Sequence, residues 1–369
     1  MKKSVVKFAD VSFNKLEPGA TLPAKFKRML DSLPLKEIVE RKLVAIKMHL
    51  GGNLGYTTIH PLFVRILVKA LKDAGGDVFI TDVYHRNSAD FGVRNAENRG
   101  YNEEVIGCKI IPVAGAGDKY YYQKKVDFKT LKEIQVAGNI HDAEVLIDFS
   151  HVKGHGDCSY GGACKNLAMG CVTSATRREL HALEGGIEWN EELCEHCESC
   201  IDGCRYKANK FNDREKYEIN FHDCTFCQHC VEICPTGALT FTGKRFIDFQ
   251  KGMAISTNEI LKTFDKGSVY YINVLLNITM LCDCWGFSTP SIVPDIGIMA
   301  SDDIVAIEKA SLDAIKVENL IPGSLLVGRE LSEGNHLFEK IWGKDPYSQI
   351  YELEKIGLGN SDYIIEKVE

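Results

Sequence analysis

The chain has 369 residues, 45% of them hydrophobic, enough to bury a large core and to hold more than one structural unit. Its formal net charge is −7 and no lysine- and arginine-rich run interleaves with aromatics, which excludes a general nucleic-acid binder. There is no stretch of about eighteen apolar residues to span a bilayer. The opening MKKSVVKFAD alternates like a strand rather than forming a signal-peptide run, so the expectation is a cytoplasmic protein with no membrane or nucleic-acid partner.

In chain order, short apolar runs alternate with helical periodicity, the signature of a layered α/β fold with a mainly parallel sheet. Val44 to Met48 reads as a buried strand. Pro61 opens a helix with Phe63, Ile66, Leu67, Ala70 and Ala74 on one face, and Gly75-Gly76 stops it. Strands follow at Val78 to Val83, Lys109 to Val113 and Val145 to Phe149, the last leading into His151-Val152-Lys153-Gly154-His155. Glycine-rich loops after strand ends are where α/β folds bind ligands. After a cysteine-rich region, Val269 to Ile278 is another β-branched run, and Ser301-Asp302-Asp303 caps a helix carrying Ile304, Ile307, Ser311, Ala314 and Ile315. These later elements complete the first sheet. The expected domains are therefore 1–187 and 244–330 as two parts of one α/β domain, 188–243 as an insertion, and 331–369 as a helical tail packed on the surface.

Fourteen cysteines occur, and eight of them form two copies of one spacing. Cys194, Cys197, Cys200 and Cys204 read C-x2-C-x2-C-x3-C; Cys224, Cys227, Cys230 and Cys234 repeat it, with Pro235 following. Such short gaps place three thiolates around one cuboidal cluster while the fourth points towards a second. Zinc knuckles and disulfides compete for C-x2-C pairs, but zinc needs only two cysteines per knuckle. The expectation is two [4Fe-4S] clusters in a reducing, anaerobic or microaerobic interior.

The segment resembles bacterial two-cluster ferredoxins, and the insertion is accordingly expected to be a ferredoxin-like α+β unit. By that resemblance Cys194, Cys197, Cys200 and Cys234 hold one cluster, and Cys224, Cys227, Cys230 and Cys204 the other. His196 and His229, inside these runs, are expected to tune the clusters rather than ligate iron.

A second constellation lies outside the runs. Cys108 reads as a small buried hydrophobe. Cys158, Cys164 and Cys171 sit in a glycine-rich stretch with His155, Lys165 and Asn166, offering backbone amides and positive charge. Cys282 and Cys284, two apart in what reads as extended chain, face the same side. Either these thiols are scattered and buried, or Cys171, Cys282 and Cys284 hold a third metal or cluster, or act as a redox pair. Gly51-Gly52-Asn53-Leu54-Gly55 is either an anion cradle or a flexible strand-to-helix loop. His49, His60 and His155 are candidates for the α/β site, with a structural role as the alternative. No G-x-x-x-x-G-K-[ST] occurs, so P-loop nucleotide hydrolysis is not expected.

Four segments carry a second resemblance: Val152-Lys153-Gly154-His155, the stretch Tyr160 to Cys171, Cys282-Asp283-Cys284 and Pro294 to Asp303. Together they look like the family known as domain of unknown function 362, often fused to ferredoxin clusters. That resemblance implies an iron–sulfur protein of anaerobic metabolism and no settled reaction. The function expected is an oxidoreductase passing low-potential electrons from a redox partner protein, through two clusters, to a small molecule in the α/β domain. There Lys153, His155, Lys165 and Asn166 would bind or protonate the substrate or an anionic cofactor. The alternatives are an electron carrier or docking module that reduces a partner enzyme, and a metal- or cluster-delivery protein.

Overall fold

The computed structural model describes residues 3–83, 93–184, 187–204, 207–220, 224, 229–241 and 245–369. Eight strands build the main sheet: β1 (Ser4–Asp10), β2 (Leu43–Lys47), β3 (Asp77–Asp82), β4 (Ile110–Pro112), β5 (Val145–His151), β6 (Val269–Leu275), β7 (Gly297–Ser301) and β8 (Tyr363–Lys367). Their order is β8-β1-β7-β6-β5-β2-β3-β4. The run β6-β5-β2-β3-β4 is parallel throughout. β7 is antiparallel to both its neighbours, and β8 runs parallel to β1.

The strands are apolar on both faces, as a sheet covered by helices requires. Val44, Ile46, Val145, Ile147 and Phe149 point to one side, against Phe26, Phe63 and Leu67. Ala45, Leu146 and Tyr271 point to the other, against Leu167, Phe249 and Met253. The period of two then carries Lys47 and Asp148, opposite one another in the β2–β5 register, onto that second side. An apolar sheet thus ends in a charged layer.

The helix Pro61–Asp73 begins where expected, with proline in its first turn and the His60 ring accepting the Leu62 N–H. It buries Phe63, Val64, Leu67, Val68 and Leu71, a stripe turned slightly from the one its spacing suggests. Gly75, at φ +94°, supplies the left-handed stop.

Strands preceding and following residues 187–241 share one sheet, and β5 and β6 on either side of this segment pair directly. The chain therefore leaves the main sheet after β5 and returns to it at β6. Antiparallel pairing of Ile187–Trp189 with Leu239–Phe241 brings the two ends of this segment together. Its own small core contains Cys200, Cys230 and Leu239, with Trp189 and Tyr217 against them.

The region 331–369 differs from the expectation of a surface helical tail. Helices Leu337–Trp342 and Tyr347–Lys355 bury Phe338, Trp342, Ile350 and Leu353 in the main core, and Tyr363–Lys367 then becomes a sheet strand. The physical reason is that β1 offers an open edge that Tyr363, Ile364 and Ile365 satisfy. Among the described residues no helix is long and apolar enough to cross a membrane.

Candidate functional site

The parallel run reverses direction between β2 and β5: β2, β3 and β4 step one way and β5 and β6 the other. In open α/β sheets the crevice beyond the carboxyl ends of the strands at such a point is where ligands bind. A cleft of about 560 Å³ opens there. β2 contributes Lys47 and His49, β3 contributes Asp82, and the chain leaving β5 contributes Lys153 and His155. Arg177, Arg178 and His181 enter from the helix Ser174–Glu184.

The floor is the helix Ala163–Gly170, which turns Lys165, Asn166, Met169 and Gly170 to the cleft while Leu167 and Ala168 enter the core. Glycine at 162 is obligatory for this approach, since a Cβ there would lie 2.2 Å from Oε2 of Glu308. Asn166 ties the layer together: its Nδ2 donates to the Lys47 carbonyl (3.0 Å) and to Asp148 Oδ1 (2.6 Å), and its Oδ1 accepts from Lys47 Nζ (2.7 Å). Lys47 Nζ also donates to Asp82 Oδ1 at 2.9 Å, and His49 Nδ1 lies 3.0 Å from Asp82 Oδ2.

Burial would raise Asp82, but Lys47 and His49 hold it well below the carboxylate range. Among the described residues Asp148 has no cation that close. Burial pushes it up to about 7 despite hydrogen bonds from Ser150 and Asn166, and burial likewise pushes Glu308 up to about 8. Five cationic side chains and one carboxylate line the cleft. Two nitrogens there, His49 Nε2 and Arg177 Nη2, are buried without a hydrogen-bond partner among the described residues.

One wall is a thiol corner. Asp283–Trp285 forms a short 3-10 turn rather than the extended chain expected, and the Cys284 N–H turns back to Cys282 Sγ at 3.4 Å. The two sulfurs and the His155 ring lie within 4.8 Å of one another. Lys165 Nζ donates to Cys282 Sγ at 3.2 Å and to Cys284 Sγ at 3.8 Å. Burial opposes ionisation of Cys282, but the Cys284 hydrogen bond and the Lys165 and Lys153 ammonium groups hold it well below the ordinary thiol value. His155 is pushed down to about 4 by burial and by the charge of Lys165. Between the thiols, Asp283 anchors the turn to β5 through His151 Nδ1 (2.7 Å) and Lys153 Nζ (3.3 Å).

In the insertion, Cys194, Cys197, Cys200 and Cys234 line one cavity, walled by Trp189, Phe211 and Tyr217. The Cys200 thiol is raised to about 11 by burial and by Cys230, Cys194 and Cys234 nearby. Cys224 and Cys230 flank Tyr217, Cys204 accepts the Ala208 N–H at 3.2 Å, and Cys227 lies outside the described residues. Buried Lys344 Nζ donates to the carbonyls of Gly156 (2.6 Å) and Cys224 (3.0 Å), linking the cysteine-rich segment to the loop after His155.

Of the residues expected at the α/β site, Lys153, His155, Lys165, Asn166 and Cys284 line the cleft, and Cys282 lies just behind. Cys171 does not join Cys282 and Cys284. It caps the floor helix, fully buried, with Lys47, Asp148 and Asp82 as its charged neighbours. The loop Gly51 to Gly55 packs on the turn after Cys284, its Leu54 N–H donating to the Gly286 carbonyl, and does not line the cleft. His60 serves as a helix cap. Lys47, Asp82, Arg177, Arg178 and His181 carry no local motif, and the available signal was their position at strand ends or on the amphipathic helix Ser174–Glu184.

The cleft thus sits at the switch point of a mainly parallel, layered α/β sheet. The chain belongs to the family described as domain of unknown function (DUF362), whose model matches residues 44–313. Shorter similarities exist to NADH-quinone oxidoreductase subunit I 2 of Geobacter metallireducens, at 36% identity over 78 residues, 18% of this chain and 56% of that one. Ferredoxin of Methanothermococcus thermolithotrophicus is 34% identical over 54 residues, 15% of this chain and 90% of that one. The chain spans 32% of NAD(P)H-quinone oxidoreductase subunit I of Gloeobacter violaceus, at 35% identity over 68 residues and 16% of this chain. The lactate racemase apoprotein from Thermoanaerobacterium thermosaccharolyticum superposes with a TM-score of 0.35 at 12% identity, over 74% of this chain and 51% of that one.

Proposed function

We propose that this chain is a cytoplasmic iron–sulfur oxidoreductase of anaerobic metabolism, taking electrons from a partner protein and reducing an anionic small molecule in the switch-point cleft. The observation that carries the electron-transfer part is the cavity that collects Cys194, Cys197, Cys200 and Cys234 from both cysteine runs. Four thiols converging from two loops fit a [4Fe-4S] donor set. Cys204, Cys224, Cys227 and Cys230 would hold a second cluster. Bound clusters supply reversible one-electron transfer at low potential. The partial similarities to ferredoxin and to quinone oxidoreductase subunits support the same reading.

What the chain's own residues do in the cleft follows from their charges. Lys47, Lys153, Lys165, Arg177 and Arg178 attract an anion, and the unpartnered His49 Nε2 and Arg177 Nη2 are positioned to bind it. Lys165, a donor beside the thiols, would supply a proton or hold a developing negative charge. A bare electron carrier would need no such cleft, which favours the reductase over the docking reading. A third metal centre, one of the alternatives for Cys171, Cys282 and Cys284, would have to use His155, Cys282 and Cys284 instead.

The test is iron and acid-labile sulfide per chain on anaerobically purified protein, with the EPR spectrum of the reduced form. About eight irons with coupled [4Fe-4S] signals are expected. Zinc in place of iron, or no sulfide, would refute the electron-transfer reading.

A further inference from the structure

We propose that Cys282 and Cys284 form a reversible dithiol–disulfide couple in the cleft wall, a two-electron centre whose reduced state is held by Lys165 and His155. Their sulfurs already lie within 4.8 Å of each other, Cys282 capping the short turn that carries Cys284. A bond requires the sulfurs to close to about 2 Å.

The groups around the pair favour sulfur anions over a metal ion. His155 Nδ1 accepts the backbone N–H groups of Asp157 (3.1 Å) and Cys158 (3.4 Å). In the neutral ring the proton therefore sits on Nε2, which faces Cys284 Sγ at 3.5 Å. That nitrogen donates to sulfur, whereas a metal would need its lone pair. The Lys165 ammonium occupies the remaining side, 3.2 Å from Cys282 Sγ, and would repel a second cation. Two other buried cysteines are engaged differently: Cys158 Sγ donates to the Tyr160 carbonyl at 3.0 Å, and Cys164 Sγ lies 3.6 Å from the Thr257 hydroxyl.

A disulfide between residues two apart closes a small ring, and strained disulfides are the easily reduced, reactive ones rather than structural braces. Reduction adds two electrons and one proton. The Sγ–Sγ bond breaks, the proton goes to Cys284, and the charge stays on Cys282 beside Lys165. In reverse, the bond re-forms and two electrons and a proton pass to an anionic acceptor in the cleft. The electrons enter one at a time from a low-potential carrier, and the inference rests on the function proposed above only for the identity of that carrier.

The experiment equilibrates the full chain anaerobically in dithiothreitol buffers of graded oxidised-to-reduced ratio, quenches with N-ethylmaleimide in denaturant, because Cys282 is fully buried, and digests. The segment between Lys266 and Lys309 contains these two cysteines and no others. It should be unlabelled and two hydrogens lighter at the oxidising end, doubly labelled at the reducing end, with one transition between. Lys165→Gln should move the midpoint about tenfold towards more reducing buffers as the Cys282 thiolate loses its cation, and Lys165→Arg should restore most of it. Cys282→Ser should leave Cys284 labelled in every buffer. Double labelling in all buffers overturns the couple, as does a stoichiometric metal that must be chelated before either thiol reacts. Iron and sulfide are measured on the same samples. A working couple without iron overturns the electron source alone; full iron without the couple overturns this inference alone.

Discussion

Replacing Asp148 by asparagine isolates the energetic cost of the buried polar layer. Asp148 is fully buried, and burial moves its carboxyl from the ordinary 3.8 up to about 7. Below pH 4 both folded and unfolded states are protonated. Between 4 and 7 the unfolded chain has released this proton and the folded one retains it, so stability falls as pH rises through the folded value. The rise of roughly three units corresponds to at most about 4 kcal/mol, of which about 3 kcal/mol is lost between pH 5 and 8. Asparagine cannot ionise and preserves the acceptor that Ser150 and Asn166 use. Its added amide would stand where Oδ2 already has no hydrogen-bond partner among the described residues. Asp148→Asn should therefore sit within about 1 kcal/mol of wild type at pH 5 and become the more stable protein by pH 8, the gap widening by about 3 kcal/mol. Urea midpoints measured every half unit from pH 5 to 9 on both proteins supply the test, differences being safer than absolute values in a chain with several structural units. Parallel curves would show that Asp148 is ionised in the folded protein and refute the reasoning.

Other substitutions probe separate parts of the architecture. Lys47→Met removes the cation from Asp82 and the donor from Asn166; breaking a buried pair in this way should cost about 3–5 kcal/mol, read as a lower urea midpoint. Gly154→Ala would place a Cβ 2.3 Å from the backbone oxygen of Met280, so a loss of about 1–3 kcal/mol is expected where a solvent-exposed glycine such as Gly19 would tolerate the change. Arg177→Met with Arg178→Met should weaken binding of inorganic phosphate or sulfate at least tenfold in titration calorimetry, and unchanged binding would place the anion elsewhere. Cys194→Ser should remove about half of the iron while residues 44–184 keep their fold by circular dichroism.

The strands of the parallel core were legible because Val44 to Met48, Val78 to Val83 and Val145 to Phe149 are apolar runs bounded by glycine or charge. The thiol corner was legible in part, since Cys282, Cys284, His155 and Lys165 lie in short motifs. Cys171 shares its motif with Lys165 and Asn166 yet ends on another side of the helix, because a residue six positions on has rotated away. Lys47 and Asp82 were hidden for a different reason. Each is a lone charge after an apolar strand, and only the parallel pairing of β2 with β3 reveals that they meet. β8 escaped notice because Tyr363-Ile364-Ile365 is too short to signal a strand without the edge it completes.

The pairing of β1 has a consequence for synthesis. Ser4–Asp10 bonds only to β7 and β8 within the sheet, and the nearer of these is translated about 290 residues later, roughly 15–60 s at ribosomal rates of about 5–20 residues per second. During that interval an apolar strand has no partner in its own chain and invites pairing with another. The cysteine-rich insertion emerges within the same window, before β6 can close the sheet beside β5. Expression at lower temperature, or with a chaperone that shields nascent β1, should therefore raise soluble yield more than added iron does.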